Sequence, residues 1–199
     1  MSKNLEQRVA TLEKLVKELT KNKSFKVTGK HEIGDTFDIL GLKWKILDIT
    51  EKGYVCLADR LEEAMQFDSA CNNWKSSDLR NYLNTEFFNM LAAEIGAENI
   101  IEFERDLLSL DGQTEYGICC DKVSFLNVDE YRKYRKLIQN TEDYWWWLIT
   151  PDSTKCNDDT RWVRVVSPSG LILRSSYFNN DDGVRPVCIF SSAIFESEE

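Results

Sequence analysis

The feature that most constrains this sequence is a run of apolar residues near its start, spaced by four, three, four and three positions. The residues of the run are Leu5, Val9, Leu12, Val16 and Leu19. This spacing is typical of a coiled coil, with valine at the a positions and leucine at the d positions. We predict a coiled-coil stalk over residues 4–23, a neck over residues 24–32 and one head over residues 33–199.

The oligomeric state follows from residues beside the seam. Arg8 falls at a g position and Glu13 at an e position, so they can form an ion pair between neighbouring helices. Residues 8–13 also resemble a short trimerisation motif of three-stranded coiled coils, whereas valine at a with leucine at d favours two strands. We expect a homotrimer, with a dimer as the alternative. A third interpretation is a single amphipathic helix folded back on its own head, because a seam under three heptads is marginal alone.

Charge and hydropathy narrow the classes of partner. The chain has a net charge of −9, and residues 1–23 hold six basic and three acidic residues, which leaves −12 for the rest. An acidic head is not expected to bind nucleic acid or anionic lipid. No apolar stretch approaches the ~20 residues of a membrane span. The charged start lacks a signal-peptide pattern, so we expect synthesis in a bacterial cytoplasm.

The six cysteines include no Cys-x-x-Cys pair. We therefore expect reduced thiols, with Cys56 and Cys188 in the core because they lie in apolar strands.

The head has the pattern of an α+β fold, with helices in its middle and strands clustered at its end. Helices are predicted after the capping residues Ser76 and Ser77, ending at Gly96, and from Val128 to about Ile138 behind an Asn127–Glu130 capping box. Strands are predicted at residues 37–39, 44–49, 54–57, 123–126, 161–166, 171–173 and 184–190.

Three consecutive tryptophans indicate another strand. On a strand, Trp145 and Trp147 would share one face and Trp146 would take the other. We expect all three to pack in the core, which requires this strand to be covered on both sides.

Several short motifs occur in a familiar order. They are residues 77–84 with Glu86-Phe87, Asp129-Glu130-Tyr131, residues 145–148 with Thr150-Pro151, and residues 183–187. Together they resemble an uncharacterised family of phage and gut-bacterial proteins, over roughly residues 33–192. That resemblance implies a C-type-lectin-like fold, akin to formylglycine-generating enzymes and to the variable receptor-binding proteins of diversity-generating retroelements.

The same resemblance implies that a ligand surface lies within residues 157–182. Aromatic rings beside arginine, asparagine and aspartate suit a sugar or protein surface. The candidate binding residues are Asn157, Asp158, Asp159, Arg161, Trp162, Arg164, Arg174, Tyr177, Phe178, Asn179, Asn180 and Asp181. We expect a virion-associated phage or prophage structural protein whose multimerised head binds a host-surface glycan or protein. The alternative is an assembly or scaffold protein that docks on a virion component.

Metal and enzyme chemistry are weaker hypotheses. Calcium could be bound by acidic loop residues, namely Asp158, Asp159, Asp181 and Asp182, although asparagine and aspartate also favour plain turns. His31 is the one histidine, and we expect it to be solvated. An oxidase of the formylglycine-generating type could use only Cys119, Cys120 and Cys188. Since no complete catalytic set is present, we expect no enzyme activity and no cofactor.

Overall fold

The computed structural model describes residues 25–29, 31–140 and 143–195. The predicted stalk over residues 4–23, with its seven oligomerisation residues, lies outside the described residues. The described chain combines helices with antiparallel sheets, so the α+β class is confirmed. None of its helices has both the length and the apolar character that crossing a bilayer requires.

A five-stranded antiparallel sheet organises the head. Its strands are β1 (Thr36–Ile39), β2 (Leu42–Thr50), β3 (Gly53–Ala58), β4 (Ile100–Ile101) and β10 (Val187–Phe190). They lie in the order β1-β2-β3-β10-β4. The strands predicted at residues 37–39, 44–49 and 54–57 are confirmed, while the last strand begins at Val187 instead of Val184.

A helical segment follows the 3₁₀ turn Trp74–Ser76. It comprises α1 (Asp78–Tyr82), a π-helical turn (Leu83–Phe87) and α2 (Phe88–Ile95). The Ser77 side chain accepts a hydrogen bond from the Arg80 N–H, which confirms the predicted N-cap. Gly96 ends the segment with φ +87°, a conformation that glycine adopts without steric cost.

The middle of the chain continues with three short elements. They are β5 (Phe103–Asp106), β6 (Ile118–Asp121) and α3 (Val128–Tyr134). Strands β5 and β6 pair with each other. Asn127 and Glu130 form the predicted capping box. The strand predicted at residues 123–126 was wrong, because Ser124 makes only an isolated bridge with Val187 before the chain turns into α3. Helix α3 also ends four residues earlier than Ile138.

A three-stranded antiparallel sheet carries the C-terminal half. Its strands are β7 (Trp146–Pro151), β8 (Trp162–Val166) and β9 (Ile172–Ser176), in that order. The β8–β9 hairpin turns at residues 167–170, where Gly170 has φ +79°. The remaining 3₁₀ turns are Ala97–Asn99, Lys155–Asn157 and Ser192–Phe195.

Strand β7 lies between two hydrophobic clusters. Trp147 belongs to the larger one, with the helical segment and one face of the five-stranded sheet, and Trp146 belongs to the smaller one, with α3. The expected coverage of both faces is therefore confirmed for these two residues. Trp145 was predicted wrongly: it precedes the strand and is 38% exposed.

His31 was also predicted wrongly. It is half-buried, with its ring centroid 5.1 Å from that of Phe195 and its Nε2 atom 2.9 Å from the Val27 carbonyl oxygen. The imidazole offers an apolar face to the Phe195 ring, so this site favours packing over full hydration.

Candidate functional site

The pairing of β8 with β9 brings the central candidate residues together. Trp162 lies opposite Ser176, and Arg164 lies opposite Arg174. Since side chains alternate along a strand, Trp162 and Arg164 project from the same face of the sheet. Two arginines directly opposite each other repel, so this register needs a nearby anion.

Asp152 supplies that anion. It follows β7, and its backbone N–H donates to the Trp162 carbonyl at 2.9 Å. One carboxylate oxygen pairs with the Arg164 guanidinium, and the other accepts a 2.9 Å hydrogen bond from Arg174. Burial, followed by the charge of Arg174, lowers the pKa of Arg164. Asp152 thus permits two like charges to occupy neighbouring strands.

Trp162 is contacted by two guanidinium groups. The central guanidinium carbons of Arg161 and Arg174 each lie 4.8 Å from the tryptophan ring centroid, and the Arg161 carbon lies 5.4 Å from the Phe178 ring. Such cation–π contacts hold long side chains in place at the surface. We call Arg161, Trp162, Arg174 and Phe178 the arginine–aromatic face.

Phe178 is the most open apolar group of this face, at 51% exposure. Its ring packs edge-on against Tyr177, with centroids 5.3 Å apart. The Tyr177 backbone is anchored, because its carbonyl oxygen accepts hydrogen bonds from the N–H groups of Phe67 and Asp68. An exposed aromatic ring on a fixed backbone offers contact area at little entropic cost.

A cleft of about 510 Å³ adjoins the face through Asp152. Besides Asp152, its lining consists of Leu110, Asp111, Ser153, Asn157 and Asp159. We call it the acidic cleft. Most of its lining groups are oxygen or amide groups that can hydrogen-bond a polar ligand.

Asp111 is the most tightly held carboxylate of the acidic cleft. It accepts hydrogen bonds from Ser109 Oγ at 2.5 Å, Ser153 Oγ at 2.6 Å and Asn157 Nδ2 at 2.8 Å. These bonds, that of Ser109 first, lower the pKa of Asp111. The cleft therefore presents an ionised, oriented acceptor at neutral pH.

Asn72 fixes the backbone beneath both regions. Its fully buried side chain donates to the carbonyls of Ser153 and Trp162, each at 3.0 Å, and accepts a 2.7 Å hydrogen bond from the Tyr116 hydroxyl. Its own N–H donates to the Thr160 carbonyl at 2.9 Å. One buried amide therefore ties the end of β7 to the start of β8.

The Asn179–Asp182 loop uses its polar groups mainly within itself. Asn179 Nδ2 donates to Ser175 Oγ and to Asp182 Oδ2, each at 3.0 Å, and the Asn179 side-chain oxygen accepts from the Asp181 N–H. Asp182 is 3% exposed, and burial raises its pKa. Asn180 and Asp181 are exposed.

The four calcium candidates are not brought together as a ligand set. Asp158 is exposed in a left-handed turn, Asp159 accepts the Arg161 N–H, and Asp182 is buried. Within the described ranges, no group of three or more His, Cys, Asp or Glu side chains is placed to hold a metal ion. Calcium binding stays a prediction.

The cysteine candidates lie in different surroundings. All six thiols are free, and Cys56 and Cys188 face each other, buried, across β3 and β10. Burial raises the pKa of Cys119 to about 11, while Cys120 is exposed. Cys119 is therefore a protonated thiol at neutral pH, a poor nucleophile.

Sequence reasoning identified the face and part of the cleft. Arg161, Trp162, Arg164, Arg174, Tyr177 and Phe178 come together as one region, and Asn157 and Asp159 line the cleft. It missed Asp111, Asp152, Ser153 and Asn72. The Asp111-Gly112 pair reads only as a turn, and an aspartate after the Thr150-Pro151 motif gives no signal of its partners, so only the folded contacts reveal them.

Comparisons with known proteins add one finding. The model of a family described as a domain of unknown function, DUF6273, matches residues 107–192, which is under half of the chain. No curated protein and no solved structure matches. The matched segment contains the acidic cleft and the arginine–aromatic face, so the candidate site lies in the part of the chain that is similar to this family.

Proposed function

We propose that this chain is a receptor-binding protein of a phage or prophage, whose head binds a surface glycan or protein through the arginine–aromatic face. The observation that carries the proposal is the half-exposed Phe178 ring beside Trp162, with Arg161 contacting both rings. Exposed aromatic and arginine side chains in one cluster are the composition of binding hot spots.

The strand order supports a C-type-lectin-like head. Strands β1 to β3 and the last strand β10 are neighbours in one sheet, although about 130 residues separate β3 from β10. That long excursion carries the three-stranded sheet and the candidate site. The last strand returns to lie between β3 and β4 of this sheet, and the candidate site lies on the excursion, which supports the proposed lectin-like head.

Multimerisation by the proposed stalk would strengthen binding without new contacts. A face of four side chains gives modest affinity, but linked heads raise the effective concentration of each further contact. We propose a homotrimer, with a dimer as the alternative, made in a bacterial cytoplasm and carried on a virion.

The test is a binding screen with the intact multimer against printed glycans and whole bacterial cells. We expect Trp162→Ala and Phe178→Ala to weaken any observed binding by about tenfold or more, because truncated hot spots cost about 2 kcal/mol. Ile118→Ala is the matched control, since Ile118 is 50% exposed on β6, outside the face.

The outcomes separate the candidate functions. Loss of binding in both face variants but not in the control would support the proposed site. Equal binding by all variants would refute the site. No binding to glycans or cells by an intact folded multimer would refute the receptor-binding function and favour an assembly protein that docks on a virion component.

A further inference from the structure

Three arginines lie around Trp162 in a chain whose net charge is negative. Arg161, Arg164 and Arg174 meet there, and among the described residues Asp152 is the one carboxylate that forms ion pairs with any of them. The Arg161 guanidinium has no carboxylate partner within the described ranges. A local positive excess within a chain of net charge −9 requires an explanation.

Of the two arginines that contact Trp162, Arg174 binds a carboxylate through one nitrogen, Nη1, which donates to Asp152 at 2.9 Å. Arg161 is exposed, and Arg174 is half-exposed, with a side chain 53% accessible to solvent. Their contacts with Trp162 orient the guanidinium planes while leaving N–H donors for a ligand. Such a site recognises an anionic oxygen group, and carboxylate fits a guanidinium through two parallel hydrogen bonds.

The adjoining acidic cleft limits the number of negative charges that the ligand can carry. Asp111 and Asp159 line it next to Asp152, so a polyanion laid across face and cleft would meet repulsion. The same carboxylates accept hydrogen bonds from hydroxyl groups. The ligand that satisfies both regions has an isolated negative charge and several hydroxyl donors.

We propose that the face and cleft bind a carboxylate-bearing sugar, such as a uronic or sialic acid residue at a glycan end. This inference rests on the proposed function and names its ligand class. The sugar carboxylate pairs with Arg161 and Arg174, its hydroxyls donate to Asp111 and Asp159, and its apolar face contacts Phe178. An acidic peptide fits less well because it lacks the hydroxyl donors that the cleft accepts.

The experiment compares glucuronate- and sialate-containing oligosaccharides with the same oligosaccharides after reduction of the carboxyl to a primary alcohol. Binding to the intact chain is measured by calorimetry. We expect reduction to weaken binding at least about tenfold, as expected for loss of a charge-assisted hydrogen bond. Arg161→Gln should remove most of that preference, and Arg161→Lys should restore part of it, since lysine keeps the charge but not the planar fork.

Arg132→Gln is the matched control, because Arg132 is an exposed arginine on α3 whose carboxylate partner is Asp129, away from the face. An unchanged preference in this variant, with loss in Arg161→Gln, would support the inference. Equal binding of native and reduced sugars would overturn it while leaving a receptor-binding function intact. Binding to a surface protein, with no glycan bound, would overturn it in the same way.

Discussion

At the scale of single residues, the polar members of the recognised motifs hold the fold. Asn84 Nδ2 donates to the carbonyls of Arg80 and Val123, while its Oδ1 accepts the N–H groups of Lys122 and Val123. These four bonds fill the hydrogen-bonding capacity of one amide. Because all of these partners are backbone groups, Asn84 contributes to the fold and not to ligand binding.

Asp182 gives a pH-dependent prediction. Burial raises the pKa of the Asp182 carboxyl in the folded state. Just above pH ~4 the folded state therefore binds more protons than the unfolded state. The free energy of unfolding consequently falls as the pH rises through the folded pKa. Asp182→Asn removes the charge but keeps an acceptor for Asn179. We expect a slightly higher melting temperature than wild type at pH 7, with the difference shrinking as the pH falls below the unfolded pKa.

The comparison is made by thermal unfolding from neutral pH down to pH ~3.5, just below the unfolded pKa of an aspartate. Asp181→Asn is the control, because Asp181 is exposed in the same loop. If Asp182→Asn destabilises the head at pH 7, its carboxylate makes a favourable contact that outweighs burial, as bound calcium would.

At the scale of elements, the best predicted features were those with local causes. The Ser77 cap, the Asn127–Glu130 box and the Gly96 stop depend on residues within a few positions of each other. The order of the strands depends on contacts between distant residues, such as Cys56 with Cys188, and no local pattern encodes them. The cleft was missed for the same reason, since Asp111 and Asp152 meet only through the fold.

Glu130 gives an element-scale prediction, because it joins α3 to β5. Its oxygens accept 2.7 and 2.6 Å hydrogen bonds from Arg105, a residue 3% exposed, and one of them also accepts the Asn127 N–H at 2.8 Å. Glu130→Ala leaves a buried charge unpaired, so we expect a loss of about 3 kcal/mol in the free energy of unfolding. Urea unfolding followed by tryptophan fluorescence measures it.

Asp129→Ala is the matched control at the preceding position. Asp129 is 83% exposed in its ion pair with Arg132, so we expect a loss below about 1 kcal/mol. Similar losses for the two variants would contradict a structural role for the Glu130–Arg105 pair.

Gly183 gives a second prediction at this scale. A Cβ atom there would lie 2.8 Å from Tyr144 Cδ2 and 3.1 Å from the Trp145 carbonyl oxygen. The close approach is needed because the Gly183 N–H donates to that carbonyl at 2.6 Å, beside the start of β7. We expect Gly183→Ala to cost about 1–3 kcal/mol, as overpacking does, measured by urea unfolding.

Gly112→Ala separates crowding from backbone strain. Gly112 has φ +88°, and no atom lies within 4 Å of the position that an alanine methyl group would take, so the cost of this change comes from backbone conformation alone. A Gly183→Ala variant as stable as wild type would show that the neighbouring side chains yield to the methyl group.

At the scale of the whole molecule, the predicted stalk would determine how many heads bind together. We expect light scattering of the full chain to give the mass of a trimer, or of a dimer in the alternative. Leu12→Asp places a charge at a d position of the seam, so we expect it to yield monomers. Lys14→Asp, outside the seam, is the control. A monomeric wild-type chain would contradict the stalk prediction.

The neck is joined to the last described turn of the head by a backbone hydrogen bond, from the Val27 N–H to the Ile194 carbonyl at 2.8 Å. A domain whose two ends lie close together can be inserted into a surface loop of another protein without disrupting the fold of that protein. The head together with its neck can therefore be inserted into a tight turn of an unrelated protein. We expect the inserted domain to keep its strand order and to expose the arginine–aromatic face as before.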